Sequence, residues 1–201
     1  MPGDSKKLYK KWAKTYDQDF ALNSNYLSPK KISIFFNKHA KNTDTPILDV
    51  GAGTGLVGEC LHKTFNKKII GIDISQEMLK DAKLKCCYTS LVEADLTKKI
   101  PLNSNSIGAI VSAGTFTHGH VGPECFPELL RITKPGSLFC CGTIYPVFDG
   151  LGFGSALANL VSRGKISPVN FSEIDIYAKG DHAHAEDKGI VMIFRKSANI
   201  D

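Results

Sequence analysis

The segment Ile47–Leu56, with the sequence ILDVGAGTGL, places a short apolar run directly before a glycine-rich turn. The run ILDV is typical of a strand that is buried in a parallel sheet. Because Gly51, Gly53 and Gly55 lack side chains, the turn can adopt positive φ angles and let a ligand approach bare backbone. A helix is predicted from the end of the turn onward, with its free backbone N–H groups beside the ligand. This order of elements constrains the chain to an α/β fold with a cofactor site.

A second apolar run, residues 68–73, predicts the next buried strand and ends in Asp73. Asp73 lies 20 residues after Gly53, where an acidic side chain at a strand's carboxyl end accepts the hydroxyls of a bound ribose. The alternative is that Asp73 caps the helix predicted over residues 76–84, although Ser75 is already a candidate cap. The glycine turn and Asp73 together predict a site for a nucleotide-containing cofactor.

The hydrophobic periodicity predicts an alternation of helices and strands along the whole chain. Helices are predicted over residues 5–20, 30–41, 56–65, 76–84, 124–132 and 155–162. Strands are predicted over residues 47–50, 68–73, 87–95, 107–112, 137–143, 169–176 and 190–194. The last two strands are joined by a loop, so they must be antiparallel to each other. We therefore expect one α/β domain whose sheet ends in a hairpin.

Composition narrows the class of protein. The net charge of +5 is concentrated in residues 1–100, but the lysines are scattered and no arginine precedes Arg131. A solvated surface is therefore expected rather than a nucleic-acid site, which usually recruits arginine and aromatic side chains. No run resembles a signal peptide or a membrane span, and six cysteines without CxxC spacing favour reduced thiols over a metal site. We expect a cytoplasmic protein without membrane contact and without a bound metal.

The spacing of the glycines favours one cofactor class. A dinucleotide fingerprint, GxGxxG, would require glycine at position 56, where this chain has Leu56. The observed GxGxG suits a cofactor without a pyrophosphate. An NAD-dependent oxidoreductase remains an alternative, because the acid about 20 residues after a glycine turn is common to both classes.

Four motifs in succession resemble those of class I S-adenosylmethionine-dependent methyltransferases: ILDVGAGTGLVGECL, IIGIDISQEMLKDAK, LVEADL and ELLRITKPGSLF. They cover about residues 46–143 in the expected order. The resemblance is closest to the methyltransferase-like family of the Williams-Beuren region, through LYKKWAKTYDQD, GTGLV, the THGHV loop and PELLRITKPG. It implies a Rossmann-like, seven-stranded, mostly parallel sheet with an antiparallel last strand and helices on both faces. It also implies S-adenosylmethionine as the cofactor.

The resemblance assigns roles to individual residues. Those implied to contact the cofactor are Gly51, Gly53 and Gly55 at the methionine moiety, Asp73 at the ribose, Ile74 and Met78 at the adenine ring, Asp95 and Leu96 at the adenine edge, and residues 112–114, including Ala113, beside the sulfonium. A turn residue is the alternative for Asp95. Asp49 is expected to support the glycine loop or to make a water-mediated contact. One departure is Gly108, where related sequences usually carry aspartate.

Residues 1–45 are predicted to form a helical cap over the cofactor pocket, with residues 46–201 as the Rossmann-like core. On the first predicted helix Trp12 is expected to pack on the sheet. Tyr9 and Tyr16 are predicted to lie over the cofactor, because a covered phenol needs a polar partner. Simple packing is the alternative for both.

Methyl transfer from an activated sulfonium mainly requires positioning of the acceptor. Where a proton must be removed, His118 and His120 in the loop after the fourth strand are the predicted general bases, with a solvated structural role as the alternative. The segment 181–187, DHAHAED, is interpreted as a polar turn. A small-molecule acceptor is expected, and the alternatives are a protein side chain or a non-catalytic binding protein with the same fold.

Overall fold

The computed structural model describes residues 26–65, 67–117, 121–179 and 186–197. In chain order the elements are α1 (Ser28–His39), β1 (Ile47–Val50), α2 (Leu56–His62), β2 (Ile69–Asp73), α3 (Gln76–Leu84), β3 (Ser90–Glu93), β4 (Ile107–Phe116), a 3-10 turn (Pro123–Cys125), α4 (Phe126–Ile132), β5 (Thr133–Ile144), α5 (Tyr145–Gly150), α6 (Phe153–Ser162), β6 (Asn170–Asp175) and β7 (Lys188–Arg195). The predicted helix over residues 5–20, with Tyr9, Trp12 and Tyr16, lies outside the described residues.

The seven strands form one sheet in the order β3-β2-β1-β4-β5-β7-β6. Strands β1 to β5 are parallel, whereas β7 runs antiparallel to both β5 and β6. The predicted mostly parallel sheet with an antiparallel last strand is confirmed. The strand order reverses between β1 and β4, and ligands of open α/β sheets bind in the crevice at that point.

Both faces of the sheet are covered by apolar helix faces. On one face Ile32 and Phe36 of α1 and Leu61 of α2 pack against the buried strands. On the other face, helices α4 and α6 bring Phe126 and Phe153 into a fully buried aromatic cluster. The two apolar layers hold the carboxyl ends of the central strands in fixed relative positions, and this edge carries the glycine turn.

Strand β4 is longer than the sequence predicted. It continues beyond Ser112 to Phe116 through a register shift, with Gly114 at φ +80°. The Phe116 ring is completely buried against Phe126 and Phe153, and its carbonyl accepts a 2.8 Å hydrogen bond from the Thr143 hydroxyl. The prediction of a loop from residue 113 onward was therefore wrong, because tertiary packing extends the strand across the glycine.

Two further boundaries differ from prediction. Strand β5 begins at Thr133 rather than at residue 137, since Thr133 already pairs with Ile107. The pairing register then shifts between Ile107 and Ala109 of β4. Helix α5 was not predicted, because glycines and a proline such as Pro146 are typical of loops. Proline is tolerated in the first turn of a helix, which is where Pro146 lies.

None of the helices in the described part of the chain has the length and apolar character needed to span a bilayer.

Candidate cofactor site

A solvent-open cleft of about 930 Å³ lies at the carboxyl ends of β1, β2, β3 and β4. Its floor is the turn after β1, from Gly51 to Val57. Asp73 and the residues that follow it form one wall, and the end of β4 together with Tyr26 forms the other. The cleft therefore lies where the strand order reverses, as the topology requires of a ligand site.

Gly51 is required by the close approach of β4. Its φ is +68°, and a Cβ at this position would be 2.0 Å from Oγ1 of Thr115. The Thr115 hydroxyl donates a 2.7 Å hydrogen bond to the carbonyl of Val50, which fixes it beneath the turn. Sequence reasoning missed Thr115, because only the extension of β4 brings it to the cleft.

Gly53 has the properties of a position built for close approach by a ligand. Its φ is +54°, and no atom lies within 4 Å of the position that a Cβ would occupy. A side chain would therefore fill open space at a residue that lines the cleft. The Gly53 N–H donates a 2.8 Å hydrogen bond to Oδ2 of Asp73, so the turn and the end of β2 are tied together.

Gly55 differs from the other two glycines. It adopts φ +92° as the N-cap of α2, and a Cβ there would be 3.0 Å from the Tyr88 ring and 3.2 Å from Ala82. Gly55 is not among the residues that line the cleft. The missing side chain of Gly55 thus permits close packing of α2 on α3, and its cofactor contact stays a prediction.

Asp73 holds the site together from the end of β2. Its Oδ1 accepts a 2.9 Å hydrogen bond from the Ser75 N–H, while Oδ2 accepts the bond from Gly53. The N-cap of α3 is Ser75, whose hydroxyl accepts a hydrogen bond from the Met78 N–H. Ser75 rather than Asp73 therefore caps this helix. Each Asp73 oxygen retains acceptor capacity for a ligand hydroxyl. Burial raises the pKa of Asp73 despite these hydrogen bonds.

Beyond Asp73 the wall is largely apolar. Ile74, Met78 and Leu96 line this part of the cleft. Asp95 lines it too, and its Oδ1 accepts hydrogen bonds of 2.9 and 2.7 Å from the backbone and hydroxyl of Thr97. Burial acts to raise the pKa of Asp95, but the bonds from Thr97 and the neighbouring Lys98 lower it overall. Asp95 is thus both a turn residue and a carboxylate at the cleft.

The opposite wall begins at the end of β4. Ala113 and Gly114 line the cleft, whereas the Ser112 hydroxyl turns inward and donates a 2.7 Å hydrogen bond to the Val50 carbonyl. Ser112 therefore does not take the predicted position beside the sulfonium. A Cβ on Gly114 would be 2.9 Å from the hydroxyl oxygen of Tyr26, which lines the cleft from the start of the described chain. Tyr26 was not predicted, since it lies in a turn-rich segment without a motif.

Comparison with known proteins agrees with this architecture. A protein-family model described as a methyltransferase domain matches residues 48–141, which contain the glycine turn, Asp73 and β4. Residues 48–141 thus match a methyltransferase domain, and the chain has the fold of class I methyltransferases. The human methyltransferase-like protein 27 is 32% identical over 148 residues, which are 71% of this chain and 60% of the relative.

Two other similarities accompany the human one. Trans-aconitate 2-methyltransferase of Yersinia pseudotuberculosis is 32% identical over 90 residues, 44% of this chain and 34% of that enzyme. A chain in the solved complex of the Haloferax volcanii Trm112 methyltransferase activator with a methyltransferase superposes with a TM-score of 0.69 at 15% identity, covering 94% of this chain and 97% of that one. The chain spans 60% or less of the curated relatives it matches.

The cofactor of class I methyltransferases is S-adenosylmethionine, and the residues of this methyltransferase domain fit it. The open backbone at Gly53 leaves room that any Cβ would fill. Asp73 presents carboxylate oxygens at the position suited to ribose hydroxyls, and Ile74 and Met78 present an apolar surface suited to a base. These features match the cofactor's polar and apolar parts along one continuous cleft.

A buried pair of side chains supports the glycine loop from below. The Asp49 carboxyl has no exposed surface, and its Oδ2 accepts a 2.6 Å hydrogen bond from the Tyr88 hydroxyl. The same hydroxyl accepts a 3.2 Å hydrogen bond from the Gly58 N–H in α2. Burial raises the pKa of Asp49 to about 7, and the nearby charge of Asp73 adds to the rise. The expected supporting role of Asp49 therefore depends on Tyr88, which carried no sequence signal.

Gly108, the departure from related sequences, has a steric reason. Its N–H donates a 2.8 Å hydrogen bond to the carbonyl of Pro46, and a Cβ would be 2.2 Å from the backbone nitrogen of Thr45. The segment before β1 thus lies directly on β4, and no aspartate side chain fits there.

His118 and His120 lie outside the described residues. The residues that flank them are described: the Thr117 hydroxyl donates a 3.1 Å hydrogen bond to the Gly114 carbonyl, and Val121 lines the cleft. The chain is therefore at the cleft at Val121, one residue after His120.

Proposed function

We propose that this protein transfers the methyl group of S-adenosylmethionine to a small-molecule acceptor. The observation that carries the proposal is the hydrogen bond between the Gly53 N–H and the Asp73 carboxylate. It holds a bare backbone position and a ribose-type acceptor group on the same cleft, next to the apolar wall at Ile74 and Met78. An oxidoreductase is disfavoured by Leu56, which stands where a dinucleotide turn needs glycine.

Each end of the cleft has its own task in this proposal. S-adenosylmethionine supplies an electrophilic methyl group when it is bound. Asp73 accepts the ribose hydroxyls, Met78 and Leu96 cover the base, and Gly53 lets the chain of the cofactor pass over the backbone. Tyr26 and Gly114 then border the end from which the acceptor enters. The task of the protein is to orient the acceptor and exclude water, which suffices for an in-line displacement.

Residues 1–25 complete the cleft in this proposal. The described chain begins at Tyr26, which itself lines the cleft together with Pro29. Tyr26, the residue to which residues 1–25 are joined, is therefore a cleft residue. We assign Tyr9 and Tyr16 to a cap that covers the cofactor, as their spacing on one helix face predicts.

His118 and His120 are proposed as general bases for acceptors that must lose a proton. Support comes from Val121, which follows His120 and lines the cleft, and from Thr117, whose hydroxyl is bonded to the cleft residue Gly114. A small acceptor is supported by the name of the Yersinia relative, whose substrate is a small carboxylic acid. All six cysteines are unpaired, which supports the reducing cytoplasm as the compartment.

Calorimetric titration tests the proposal. We expect micromolar binding of S-adenosylmethionine, no binding of NAD, and at least tenfold weaker cofactor binding by Asp73→Ala. The control is Asp175→Ala, since Asp175 pairs with Lys188 at the far edge of the sheet. An absence of heat with S-adenosylmethionine, or a response to NAD, would contradict the proposal. Binding without transfer of labelled methyl to any small molecule of a cell extract would indicate a non-catalytic binding protein instead.

A further inference from the structure

Three helices on one face of the sheet end along the same edge. Helices α1, α2 and α3 each precede one of the neighbouring parallel strands β1, β2 and β3, so their carboxyl ends lie at the edge opposite the cleft. Contacts tie these ends together: the Asn37 amide donates a 2.7 Å hydrogen bond to the Thr64 hydroxyl, and Lys85 lies 3.8 Å from Glu59. The segments that follow the helices thus form one continuous surface.

This surface, which we term the lysine edge, is strongly basic. Its seven lysines are Lys38, Lys41, Lys63, Lys67, Lys68, Lys83 and Lys85, six of them exposed and Lys85 partly so. Two carboxylates occur in the same segments. Glu59 is bound by Lys63 at 2.9 Å, whereas Asp44 is buried and bonded to Arg195. Seven lysines and two carboxylates give the lysine edge a net charge of +5, as large as that of the whole chain.

Helix dipoles explain only part of this charge. A cation in the last turn of a helix is stabilised by the helix carboxyl end, which accounts for Lys38 and Lys83. Lys41, Lys67 and Lys68 lie beyond the helix ends and are exposed. The ammonium groups of so many neighbouring lysines repel one another, and an anionic partner would offset this repulsion.

An exposed apolar side chain accompanies the lysines. Leu84 has 79% of its surface exposed, the largest fraction among the large hydrophobic residues in the described ranges. It stands between Lys83 and Lys85 at the end of α3. A leucine flanked by lysines can enter the headgroup region of a bilayer while the ammonium groups bind anionic lipids.

We propose that the lysine edge is a docking surface for an anionic membrane. This surface exposes lysines and His62 but, in its described part, no arginine, phenylalanine, tyrosine or tryptophan, whereas nucleic-acid sites usually employ arginine and such aromatic side chains. The five residues of β2, at about 3.3 Å each, separate the edge from the cleft by about 17 Å. A nucleic acid held here would not present a base to the cleft, while a membrane would leave the cleft open to solvent. The inference does not depend on the proposed function.

Vesicle co-sedimentation tests the inference. We expect the protein to bind vesicles of phosphatidylcholine with 30% phosphatidylserine at least tenfold more strongly than pure phosphatidylcholine at 0.1 M NaCl, and to be released at 0.5 M NaCl. Lys67→Glu with Lys68→Glu should weaken binding at least tenfold, and Leu84→Ser several-fold. The matched control, Lys30→Glu with Lys179→Glu, makes the same charge change at exposed lysines near the start of α1 and beyond the end of β6, on the cleft side of the sheet, and should bind within twofold of wild type.

Each contrary outcome overturns the proposal. Equal binding to both vesicle types would exclude an anionic membrane, and equal loss in the two double variants would reduce the effect to net charge. Binding of a 30-nucleotide RNA that is lost with the Lys67 and Lys68 reversals, without vesicle binding, would assign the edge to nucleic acid. Unchanged melting temperatures establish that the variants are folded.

Discussion

The Tyr88 hydroxyl donates a 2.6 Å hydrogen bond to the Asp49 carboxyl, which has no exposed surface and whose other oxygen lacks a partner in the described structure. The Tyr88 ring fills the space left by two glycines: a Cβ on Gly58 would be 2.3 Å from it, and one on Gly71 would be 3.1 Å away. Tyr88 thus links β1, α2 and β2 directly behind the glycine loop. The loop geometry depends on this one side chain.

Replacing Tyr88 with phenylalanine keeps the ring and removes the link. Asp49 would then lose its acceptor bond, and the Gly58 N–H would lose its partner. Leaving buried polar groups unpaired costs about 1–3 kcal/mol, so we expect a loss of that size in the free energy of unfolding. S-adenosylmethionine affinity should fall at least fivefold, because the loop is no longer held.

The matched control for this variant is Tyr145→Phe. Tyr145 is exposed and donates a 2.7 Å hydrogen bond to Glu173. When its hydroxyl is removed, water can take its place as the hydrogen-bond partner of Glu173. Urea denaturation and calorimetry of both variants separate the roles. If the two phenylalanine variants behaved alike, the Tyr88 hydroxyl would have no positioning role.

Stability should depend on pH through Asp49. The pKa of Asp49 is about 7 in the folded chain against an ordinary value of 3.8, so the folded state keeps a proton that the unfolded state releases. The contribution of Asp49 is therefore fully favourable below pH 3.8 and is lost as the pH rises to about 7. A shift of about three units corresponds to roughly 4 kcal/mol.

The isosteric variant Asp49→Asn removes this titration. We expect Asp49→Asn to gain stability relative to wild type by a few kcal/mol between pH 5 and pH 8, with no further change at higher pH. Urea midpoints of both proteins, measured across this range, isolate Asp49 from other titrating groups. Parallel pH profiles would mean that Asp49 is ionised throughout.

Local sequence patterns were sufficient to predict the elements that form the cleft. The apolar runs of β1 and β2, the glycines between β1 and α2, and Asp73 are all encoded within short segments, and their positions were predicted correctly. The antiparallel tail followed from a loop too short for a crossover helix. The resemblance to class I methyltransferases then supplied the family, which the comparisons support.

Contacts between distant segments were not predictable in this way. Thr115 reaches the cleft because β4 continues across Gly114, which a propensity argument treats as an end of the strand. Tyr26 and Tyr88 come from a turn and a strand boundary without motifs, and only the tertiary fold brings them to the loop. The packing of Gly55 was not predictable either: the motif suggested only the cofactor, whereas Ala82 and Tyr88 lie against the position that a Cβ would occupy.

A comparison of Gly53 with Gly164 can separate the effect of backbone strain from the effect of contact with the cofactor. Both have positive φ, +54° and +64°, and neither has an atom within 4 Å of a Cβ position. Alanine at either position should therefore cost a similar 1–2 kcal/mol of stability. Gly53 lines the cleft and Gly164 does not, so Gly53→Ala alone should weaken S-adenosylmethionine binding, by at least tenfold. Equal affinity in both variants, measured by calorimetry, would show that the cofactor does not pass over Gly53.

Arg195 holds the edge of the sheet that faces away from the cleft. Its guanidinium donates to both oxygens of Asp44, at 2.9 and 3.0 Å, and to the carbonyls of His39 and Gly136. Asp44 is only 2% exposed, so removal of the arginine would leave a carboxylate buried without its countercharge. Breaking such a pair typically costs about 3–5 kcal/mol.

We therefore expect Arg195→Met to lose several kcal/mol of stability by urea denaturation, with Arg195→Lys recovering part of it, because lysine restores the charge without the forked geometry. The partly exposed pair of Lys188 and Asp175 provides the control, and Lys188→Met should change the urea midpoint less than Arg195→Met does. Because Arg195 lies at the opposite edge from Asp73, the folded Arg195→Met protein should bind S-adenosylmethionine within threefold of wild type. A large loss of affinity without a loss of stability would instead mean that the Arg195–Asp44 pair influences the cleft through α1, which begins beside Tyr26.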